Sequence, residues 1–323
     1  MGEFTSEESR RHPTEAPKPV WLVTGGSGFL GRYVLTAVAG RAETIALGRR
    51  CPEDWPGTRF IAVDLEDPAA VKEAISRVRP DVVIHTAGRT PPGEPEQLYR
   101  ANTLASLHLL DALRIAGKAV RVVLAGSAAE LGPVPVEALP VGDDYPCRPI
   151  EPYGLSKWLA TCAGLASRPP LDVVVGRVFN PIGPGLSTSQ AFGRFAADLA
   201  GGADRLVVGN LDARRDFVDV RDVARALIAL AESGRAGHVY HIGTGRSQSV
   251  SDGLAHLIRR SGRSVAVEVD PARAGASGPN DSRADTRKTE ADTGWRAEIP
   301  WEQSLDDLWG EAVRRAGLPL TGS

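Results

Sequence analysis

Several residue types are scarce in this chain, and their scarcity excludes several classes of protein. The three cysteines are too few and too irregularly spaced for a disulfide framework or a metal site, and they suit a reducing cytoplasm. The six histidines include no pair four residues apart, so we predict no bound metal. No apolar run reaches the roughly 18 residues that a membrane span needs. Residues 1–18 are polar, so they predict a disordered tail and not a signal peptide.

An excess of charge of one sign is also missing. The chain has 38 basic and 40 acidic residues, for a net charge of -2, and no basic stripe alternates with aromatic residues. This balance argues against a nucleic-acid surface, and the expected partner is a small molecule. A length of 323 residues is enough for one doubly wound domain with a smaller lobe.

The chain is instead rich in short apolar segments that predict buried strands. They lie at 20–24, 44–47, 59–63, 81–85 and 121–127, and the longest are apolar without alternation, as in a parallel sheet covered on both faces by helices. The fold class predicted is α/β, a Rossmann-type doubly wound parallel sheet with a smaller mixed α/β C-terminal substrate lobe. The predicted nucleotide-binding domain covers 19–180, with 216–245 returning to it, and the substrate-binding lobe covers 181–215 and 246–323.

A glycine-rich loop separates the first predicted strand from the first predicted helix. Glycines at this place let the backbone turn tightly and approach a pyrophosphate, which the free N–H groups of the helix then bind. A three-glycine pattern alone is weak evidence in a chain with 35 glycines, and its position between strand and helix gives it weight. The predicted cofactor contacts in this loop are Gly25, Ser27, Gly28, Phe29, Leu30 and Gly31.

The ends of the next strands predict which dinucleotide is bound. No acidic residue follows the second strand to bind the ribose hydroxyl of NAD; Arg49 and Arg50 stand there, and two guanidinium groups suit the extra phosphate of NADP. They could equally be solvated surface arginines. We expect NADPH as the cofactor, with NAD as the alternative. Further cofactor contacts are expected from Asp64 and Leu65, and from the turn at Ala87 and Gly88.

Tyr153 and Lys157 form the most informative pair in the chain. Their four-residue spacing places a phenol and an ammonium on one helical face, where the cation lowers the pKa of the phenol. Such a tyrosine can exchange protons with a substrate. Ser127, at the end of the fifth strand, is expected in the same crevice, where its hydroxyl can hold a carbonyl oxygen. We predict Ser127, Tyr153 and Lys157 as the catalytic residues.

These elements together carry a family resemblance from about residue 19 to Trp295. The quoted stretches are Thr24-Gly-Gly-Ser-Gly-Phe-Leu-Gly31, Ser127, Tyr153-Gly-Leu-Ser-Lys157, Arg177-Val-Phe-Asn-Pro-Ile-Gly-Pro-Gly185, Arg215-Asp-Phe-Val-Asp-Val-Arg-Asp-Val223 and Tyr240-His-Ile-Gly-Thr-Gly245. In this order and spacing they resemble the extended short-chain dehydrogenase/reductases. This family includes NAD(P)-dependent epimerases, dehydratases and reductases that act on nucleotide sugars. The segments 130–140, 149–153 and 269–273 look most like reductases that make GDP-deoxyhexoses.

The resemblance implies roles for individual residues. Tyr153 would be the acid/base and would also contact the cofactor. Lys157 would lower the pKa of Tyr153 and hold the nicotinamide ribose, and Ser127 would orient the reacting oxygen. Phe179 would lie near the nicotinamide, and Asn102 near the cofactor. Substrate-binding residues would be Ser127, Asn180 near the phosphates, Arg215 on the nucleotide diphosphate, and Arg273. For Asn102, Asn180 and Arg215, a simple loop hydrogen-bonding role stays open.

Two departures from the family pattern bear on the reaction. Ala128 and Ala129 follow Ser127 where dehydratases tend to carry an Asp-Glu pair, which argues against a sugar 4,6-dehydratase. Gly275 stands where many relatives carry an arginine that binds the pyrophosphate. Arg273 could substitute for that arginine, but the assignment to a nucleotide sugar is weakened.

The function expected from the resemblance is NADPH-dependent reduction of a keto group on a nucleotide-linked deoxy sugar, an NDP-4-keto-6-deoxyhexose. The alternatives are a nucleotide-sugar epimerase that retains NAD, a ketoreductase for a non-nucleotide substrate of secondary metabolism, and a non-catalytic nucleotide sensor. The predicted helices at 95–116 and 152–166 are apolar on more than one face, at Leu104, Leu107, Leu110, Leu155 and Leu159. One face is therefore expected to pack on a second subunit, and the resemblance implies a homodimer through these helices; the alternative is a monomer whose helices bury more surface on the sheet. The expected location is the cytoplasm.

Overall fold

The computed structural model describes residues 18–51, 59–271 and 281–318. The predicted disordered tail falls almost entirely outside the described residues, and so do Arg273 and Gly275. No helix within those described ranges is both long enough and apolar enough to cross a membrane.

The large sheet has seven strands, all parallel, in the order β11-β6-β5-β4-β1-β2-β3. The prediction of a Rossmann-type parallel sheet is therefore confirmed, and the observed bounds of its first five strands lie within one residue of the predicted ones. Three strand pairs lie apart from it, β7 with β10, β9 with β12 and β8 with β13. The strands are β1 Val20–Thr24, β2 Glu43–Gly48, β3 Arg59–Ala62, β4 Val82–His85, β5 Val120–Ser127, β6 Leu171–Val178, β7 Asn180–Ile182, β8 Arg205–Val208, β9 Arg214–Arg215, β10 Phe217–Asp219, β11 Val239–Ile242, β12 Gln248–Ser249 and β13 Ala266–Val269.

The helices cover both faces of the large sheet and build the smaller lobe. A π-helical turn at Tyr99–Leu104 joins α3 to α4, so the predicted helix at 95–116 is continuous but not uniformly α-helical. Short 3-10 turns lie at Ala128–Leu131 and Val136–Ala138. The α-helices are α1 Phe29–Val38, α2 Pro68–Val78, α3 Pro95–Leu98, α4 Ala105–Ala116, α5 Pro152–Ala166, α6 Ala191–Ala200, α7 Val220–Ser233, α8 Val250–Ser261, α9 Arg287–Thr293 and α10 Trp301–Arg315.

Successive residues of each central strand point to opposite faces of the sheet, and both faces are buried. Val23 of β1 packs in the core formed with α1 and α7, whereas Leu22 packs in the core formed with α2 and α4. Both side chains are fully buried. A strand with two buried faces has no polar side to present, which is why the sequence shows apolar runs instead of alternation.

The smaller lobe has its own apolar core. Phe192 and Phe195 of α6 pack there with Leu257 of α8 and Leu308 of α10. One segment within the predicted substrate lobe lies elsewhere. Trp295 packs in the core of the large sheet, where its Nε1 donates to Asp222 O at 3.0 Å, and α9 contacts α7 and β11.

The strand order reverses at β1, which lies between β2 and β4. At such a point the connections leave the sheet in opposite directions and open a crevice beyond the carboxyl ends of the strands. The glycine loop follows β1, the Ala87–Gly88 turn follows β4, and Ser127 ends β5. The topology thus brings the predicted cofactor and catalytic residues to one edge of the sheet.

Candidate active site

The glycine loop packs directly against the turn that follows β4. Gly25 has a φ of +73°, and a Cβ added to it would lie 2.6 Å from the main-chain nitrogen of Ala87. Helix α1 begins after Gly28 without a side-chain cap and without an acidic residue in its first turn. The positive end of the helix is therefore open to an anion, and a side chain at position 25 would fill the space that the loop needs.

Asn102 holds the Ala87–Gly88 turn from the π-helical turn. Its Oδ1 accepts from Arg89 N at 2.7 Å, and its Nδ2 donates to Arg89 O at 3.0 Å and to Ser156 Oγ at 2.9 Å. The side chain is 1% exposed. Because Ser156 belongs to α5, Asn102 joins the cofactor side of the crevice to the helix that carries Tyr153.

A buried histidine joins the same turn to β1. Ser106 Oγ donates to Asn102 O, so it accepts from Nε2 of His85 at 2.9 Å, and Nδ1 of His85 then accepts from Thr24 Oγ1 at 2.6 Å. This pattern is that of a neutral ring. Burial and the nearby Lys157 lower the pKa of His85 to about 3, so the ring stays neutral.

Tyr153 and Lys157 both lie on α5, as the spacing predicts, and each keeps part of its surface accessible. Burial raises the pKa of Tyr153, while its hydrogen bonding with Ser127 lowers it and the charge of Glu130 raises it further. Lys157 Nζ donates to Ala125 O at 2.5 Å, and burial lowers its pKa. Ser127 is therefore the contact that lowers the pKa of the phenol here, and the predicted role of Lys157 in that effect stays a prediction.

Ser127 begins the 3-10 turn Ala128–Leu131 with a capping box. Its Oγ accepts from Ala129 N at 3.2 Å, and Glu130 Oε1 accepts from Ser127 N at 2.7 Å. Glu130 is fully buried and was not among the predicted site residues, although Ser-x-x-Glu is a recognisable capping-box pattern. Its other oxygen, Oε2, accepts from Arg177 at 3.0 and 3.2 Å.

Two chambers lie side by side in the cleft beside these residues and share part of their lining. The reaction chamber, of about 540 Å³, is lined by Ser127 and Tyr153 and by a largely apolar wall. The distal chamber, of about 380 Å³, extends toward the smaller lobe. Asn180 and Arg215 line both chambers. The apolar wall of the reaction chamber includes Leu131, Pro133, Val134, Leu139, Val141, Ile150 and Phe179.

The residues predicted for the nicotinamide and the substrate phosphates lie around the junction of these chambers. Phe179 is buried and contacts the ring of His241 edge-on, with 5.2 Å between the ring centroids. Asn180 Nδ2 donates to Asp216 O at 3.1 Å, and Arg215 Nη1 donates to Arg214 O at 2.8 Å. Both side chains therefore have protein contacts besides facing the cleft.

The residues predicted for the adenosine end lie at the ends of β2 and β3. Arg49 and Arg50 are exposed immediately after β2. Asp64 is exposed after β3, where its Oδ1 accepts from Glu66 N at 3.0 Å, while Leu65 is buried. Both guanidinium groups and the carboxylate are thus at the edge of the crevice, and the ligand contacts of these residues stay predictions.

Three buried carboxylates in the stretch after Arg215 were not singled out by the sequence reasoning. Asp216 accepts from Thr244, Gly245 and Ala284, and so ties together loops beside the cleft. Asp219 caps α7 and accepts from Ser304 of α10, and Asp222 accepts from the main chain of 298 and 299. The sequence signals are their three-residue spacing and their position within the quoted stretch 215–223, and their contacts make them structural.

Comparison with known proteins identifies the family. Residues 21–243 match the family model "NAD dependent epimerase/dehydratase family". The chain is 31% identical over 307 residues to GDP-6-deoxy-D-mannose reductase of Pseudomonas aeruginosa, covering 91% of this chain and 98% of that protein. It is 32% identical over 311 residues to dTDP-6-deoxy-L-talose 4-dehydrogenase (NAD(P)(+)) of Kitasatospora kifunensis, covering 92% and 96% of the two chains.

The solved structures agree with these relatives. The structure of RMD from Pseudomonas aeruginosa complexed with NADPH superposes with a TM-score of 0.79 at 29% identity, covering 92% of this chain and 99% of that one. The fold, the sequence and the crevice therefore indicate the same family, and the family predicted from the motifs is confirmed. The chain belongs to the NAD-dependent epimerase/dehydratase family, within the extended short-chain dehydrogenase/reductases, and is an NAD(P)-dependent enzyme that modifies nucleotide sugars.

Proposed function

We propose that this enzyme reduces the keto group of an NDP-4-keto-6-deoxyhexose with NADPH. The observation that carries the proposal is the reaction chamber, in which Ser127 and Tyr153 face an apolar wall. A second, more polar chamber adjoins it and shares Asn180 and Arg215 with its lining. A deoxy sugar with a methyl group suits the first chamber, and a nucleoside diphosphate suits the second.

The residues of the crevice fit a dinucleotide. The open amino end of α1 and the side-chain-free space at Gly25 would take the pyrophosphate, and Ala87 would lie along the cofactor. Bound NADPH would supply the hydride that reduces the carbonyl carbon. Arg49 and Arg50 support NADPH over NAD because two exposed guanidinium groups can bind the additional phosphate. The NADPH complex of the Pseudomonas relative supports the same choice.

The chain's own catalytic residues would donate the proton and stabilise the charge that develops during reduction. Tyr153 gives its phenolic proton to the carbonyl oxygen as the carbon gains hydride, so the ketone becomes a secondary alcohol. Ser127 donates a hydrogen bond to the same oxygen and so stabilises the negative charge that develops on it. Lys157 carries the positive charge that stabilises the phenolate left on Tyr153.

The apolar wall supports a 6-deoxy sugar over a sugar with a free hydroxymethyl group. Leu131, Val134, Leu139 and Val141 offer no hydrogen-bond partner to a sixth-carbon hydroxyl, which would lose its water on binding. A methyl group loses nothing there and removes apolar surface from water. Arg215 and Asn180, between the chambers, are the proposed contacts of the substrate phosphates.

Two alternative reactions keep specific support. The family includes epimerases, which would oxidise and reduce one carbon with retained NAD, and tightly bound NAD in the purified protein would favour that reaction. Gly275, in place of an arginine, supports a ketone that carries no nucleotide. If the enzyme reduces a free ketone and no sugar nucleotide, the proposed carbonyl reduction stands, and the proposed nucleotide-sugar substrate is wrong.

An NADPH-consumption screen tests the proposal directly. GDP-, dTDP- and UDP-linked 4-keto-6-deoxyhexoses are supplied separately, together with UDP-glucose as the epimerase substrate. We expect oxidation of NADPH with at least one keto sugar and none with UDP-glucose. Interconversion of UDP-glucose and its 4-epimer without net NADPH oxidation would contradict the reductase.

A homodimer is the proposed assembly. An apolar surface is available for a second copy, because four leucines are 37–44% exposed. They are Leu104 of the π-helical turn, Leu107 of α4, and Leu155 and Leu159 of α5. Leu110, predicted with them, is 5% exposed and packs in the core instead. Light scattering should give twice the chain mass, and replacing Leu159 with Glu should give the monomer. A cytoplasmic location stays a prediction.

A further inference from the structure

A buried charged network lies behind Ser127. Arg177 of β6 donates to Glu130 Oε2 through Nε and Nη2, and both side chains are at most 1% exposed. Nη1 of Arg177 also lies 3.3 Å from His241 Nε2, and Nη2 lies 3.1 Å from Cys147 Sγ. An ion pair of this kind is costly to desolvate and is weak evidence for a purely stabilising role.

The network converges on the main chain of Ser127. Glu130 Oε1 accepts from Ser127 N at 2.7 Å, while Ser127 Oγ accepts from Ala129 N at 3.2 Å. Accepting this bond leaves the hydroxyl proton available to donate, and Ser127 lines the reaction chamber beside Tyr153, with which it hydrogen-bonds. Arg177 fixes the carboxylate by two donors to one oxygen, which leaves the other oxygen for Ser127 alone.

We propose that Glu130, held by Arg177, is a positioning residue that orients the Ser127 hydroxyl as a hydrogen-bond donor in the reaction chamber. This inference rests on the proposed function, because it assigns Glu130 a role through Ser127 in carbonyl reduction. The network also reaches the other wall of the chamber, because His241 contacts Phe179 and donates from Nδ1 to Val141 O at 3.1 Å.

The test removes the two charges together, so that neither is left unpaired in the core. The paired variants are E130Q/R177M, which keeps an oxygen acceptor for Ser127 N, and E130L/R177M, which removes it. Both variants carry the same change at position 177, and they differ only in the acceptor. We expect equal KM for the GDP-linked 4-keto-6-deoxyhexose. The thermal midpoint should be somewhat lower for E130L/R177M, because Ser127 N then lacks an acceptor, so both variants are assayed well below their midpoints. We also expect kcat about 10- to 100-fold lower for E130L/R177M, the scale on which misplacing a reacting group lowers rate.

Adding Ser127→Ala to both variants decides whether Glu130 acts through Ser127. The proposal predicts that the kcat difference between the Gln and Leu variants then falls below about twofold, because residues that act as a unit are not additive. A difference that persists without the hydroxyl would overturn it, as would equal kcat in the two variants that retain Ser127. If Ser127→Ala alone leaves turnover unchanged, the proposed catalytic triad fails instead, and the positioning role fails with it.

A second measurement needs no substrate. Amide hydrogen exchange at Ser127 is followed by NMR in protein labelled with ¹⁵N-serine. The Ser127 amide should stay protected in E130Q/R177M and exchange at least about tenfold faster in E130L/R177M. The exchange rate of the Ser156 amide should be the same in both variants. Equal protection of the Ser127 amide would contradict the inference, whatever the reaction proves to be.

Discussion

Asn102 of the π-helical turn donates a hydrogen bond to Ser156 of α5 at 2.9 Å, and Ser156 Oγ in turn donates to Tyr153 O at 2.7 Å. The same amide also bonds both main-chain polar groups of Arg89. Such π-helical insertions are frequent at functional sites. The two sides of the crevice are thus joined by one side chain.

Replacing Asn102 should therefore lower the free energy of unfolding more than replacing its partner Ser156 does. Asn102→Ala leaves the N–H and C=O of Arg89 without their partners, and we expect a loss of about 2–4 kcal/mol in the free energy of unfolding. Ser156→Ala, the matched control, removes only one hydroxyl and should cost about 1 kcal/mol. Urea denaturation measures both. Equal losses would show that the contacts with Arg89 contribute little.

The glycine loop gives a prediction with a close control. Gly25→Ala and Gly40→Ala both place a Cβ on a residue with positive φ, at 73° and 79°, which costs about 1 kcal/mol. Only at Gly25 would the Cβ meet another chain segment, at Ala87, whereas nothing lies within 4 Å at Gly40. Gly25→Ala should weaken NADPH binding at least about tenfold, measured by fluorescence titration. Unchanged binding in Gly25→Ala, or an equal loss in Gly40→Ala, would contradict the assigned loop.

Two buried histidines predict how stability depends on pH. Burial and nearby positive charge lower the pKa of His85 to about 3 and of His241 to about 4. Both rings stay neutral in the folded protein, whereas in the unfolded chain they take up protons near pH 6.5, so acidification favours unfolding. Each should remove roughly 2 kcal/mol between pH 7 and pH 5.

Urea denaturation at the two pH values, repeated with His241→Gln, measures this effect. The variant should lose about half of the pH dependence, because His85 still contributes. A free energy of unfolding that is unchanged from pH 7 to pH 5, or a variant with the full dependence, would show that these rings do not control acid stability.

The sequence predicted most of the large sheet and one catalytic helix. Helix α5 has the predicted bounds because Pro152 suits the first helical turn and the apolar pattern continues to Ala166. The strands were found because both faces of the sheet are covered. Such signals are local, and each can be read from a few neighbouring residues.

The supporting network could not be predicted in the same way. Glu130 and Arg177 are 47 positions apart, and nothing in either neighbourhood indicates that they meet. The π-helical turn was not predicted either, because the apolar pattern of 95–116 indicates a helix without showing a local change in its hydrogen bonding. Leu110 was grouped with exposed leucines because periodicity shows which residues share a face but not what covers it. These features depend on tertiary packing.

Asp222 gives a prediction for the contact between α7 and the segment that precedes α10. Its Oδ2 accepts from Glu298 N and Ile299 N at 2.8 and 2.9 Å, and its Oδ1 pairs with Arg225. Asp222→Ala should lower the free energy of unfolding by about 3–5 kcal/mol, since buried partners lose their acceptor. The control, Asp306→Ala, removes a half-exposed carboxylate that bonds Arg260 and His256, and it should cost about 1 kcal/mol or less. Similar costs would contradict a structural role for Asp222.

The central claim is that the phenol of Tyr153 delivers the proton in carbonyl reduction. Single-turnover oxidation of NADPH by the GDP-linked 4-keto-6-deoxyhexose, compared between the wild-type enzyme and Tyr153→Phe, measures it most directly. We predict a rate about 10²- to 10⁴-fold lower in the variant, with the Kd for NADPH unchanged. A variant that oxidises NADPH as fast as the wild type would contradict the account.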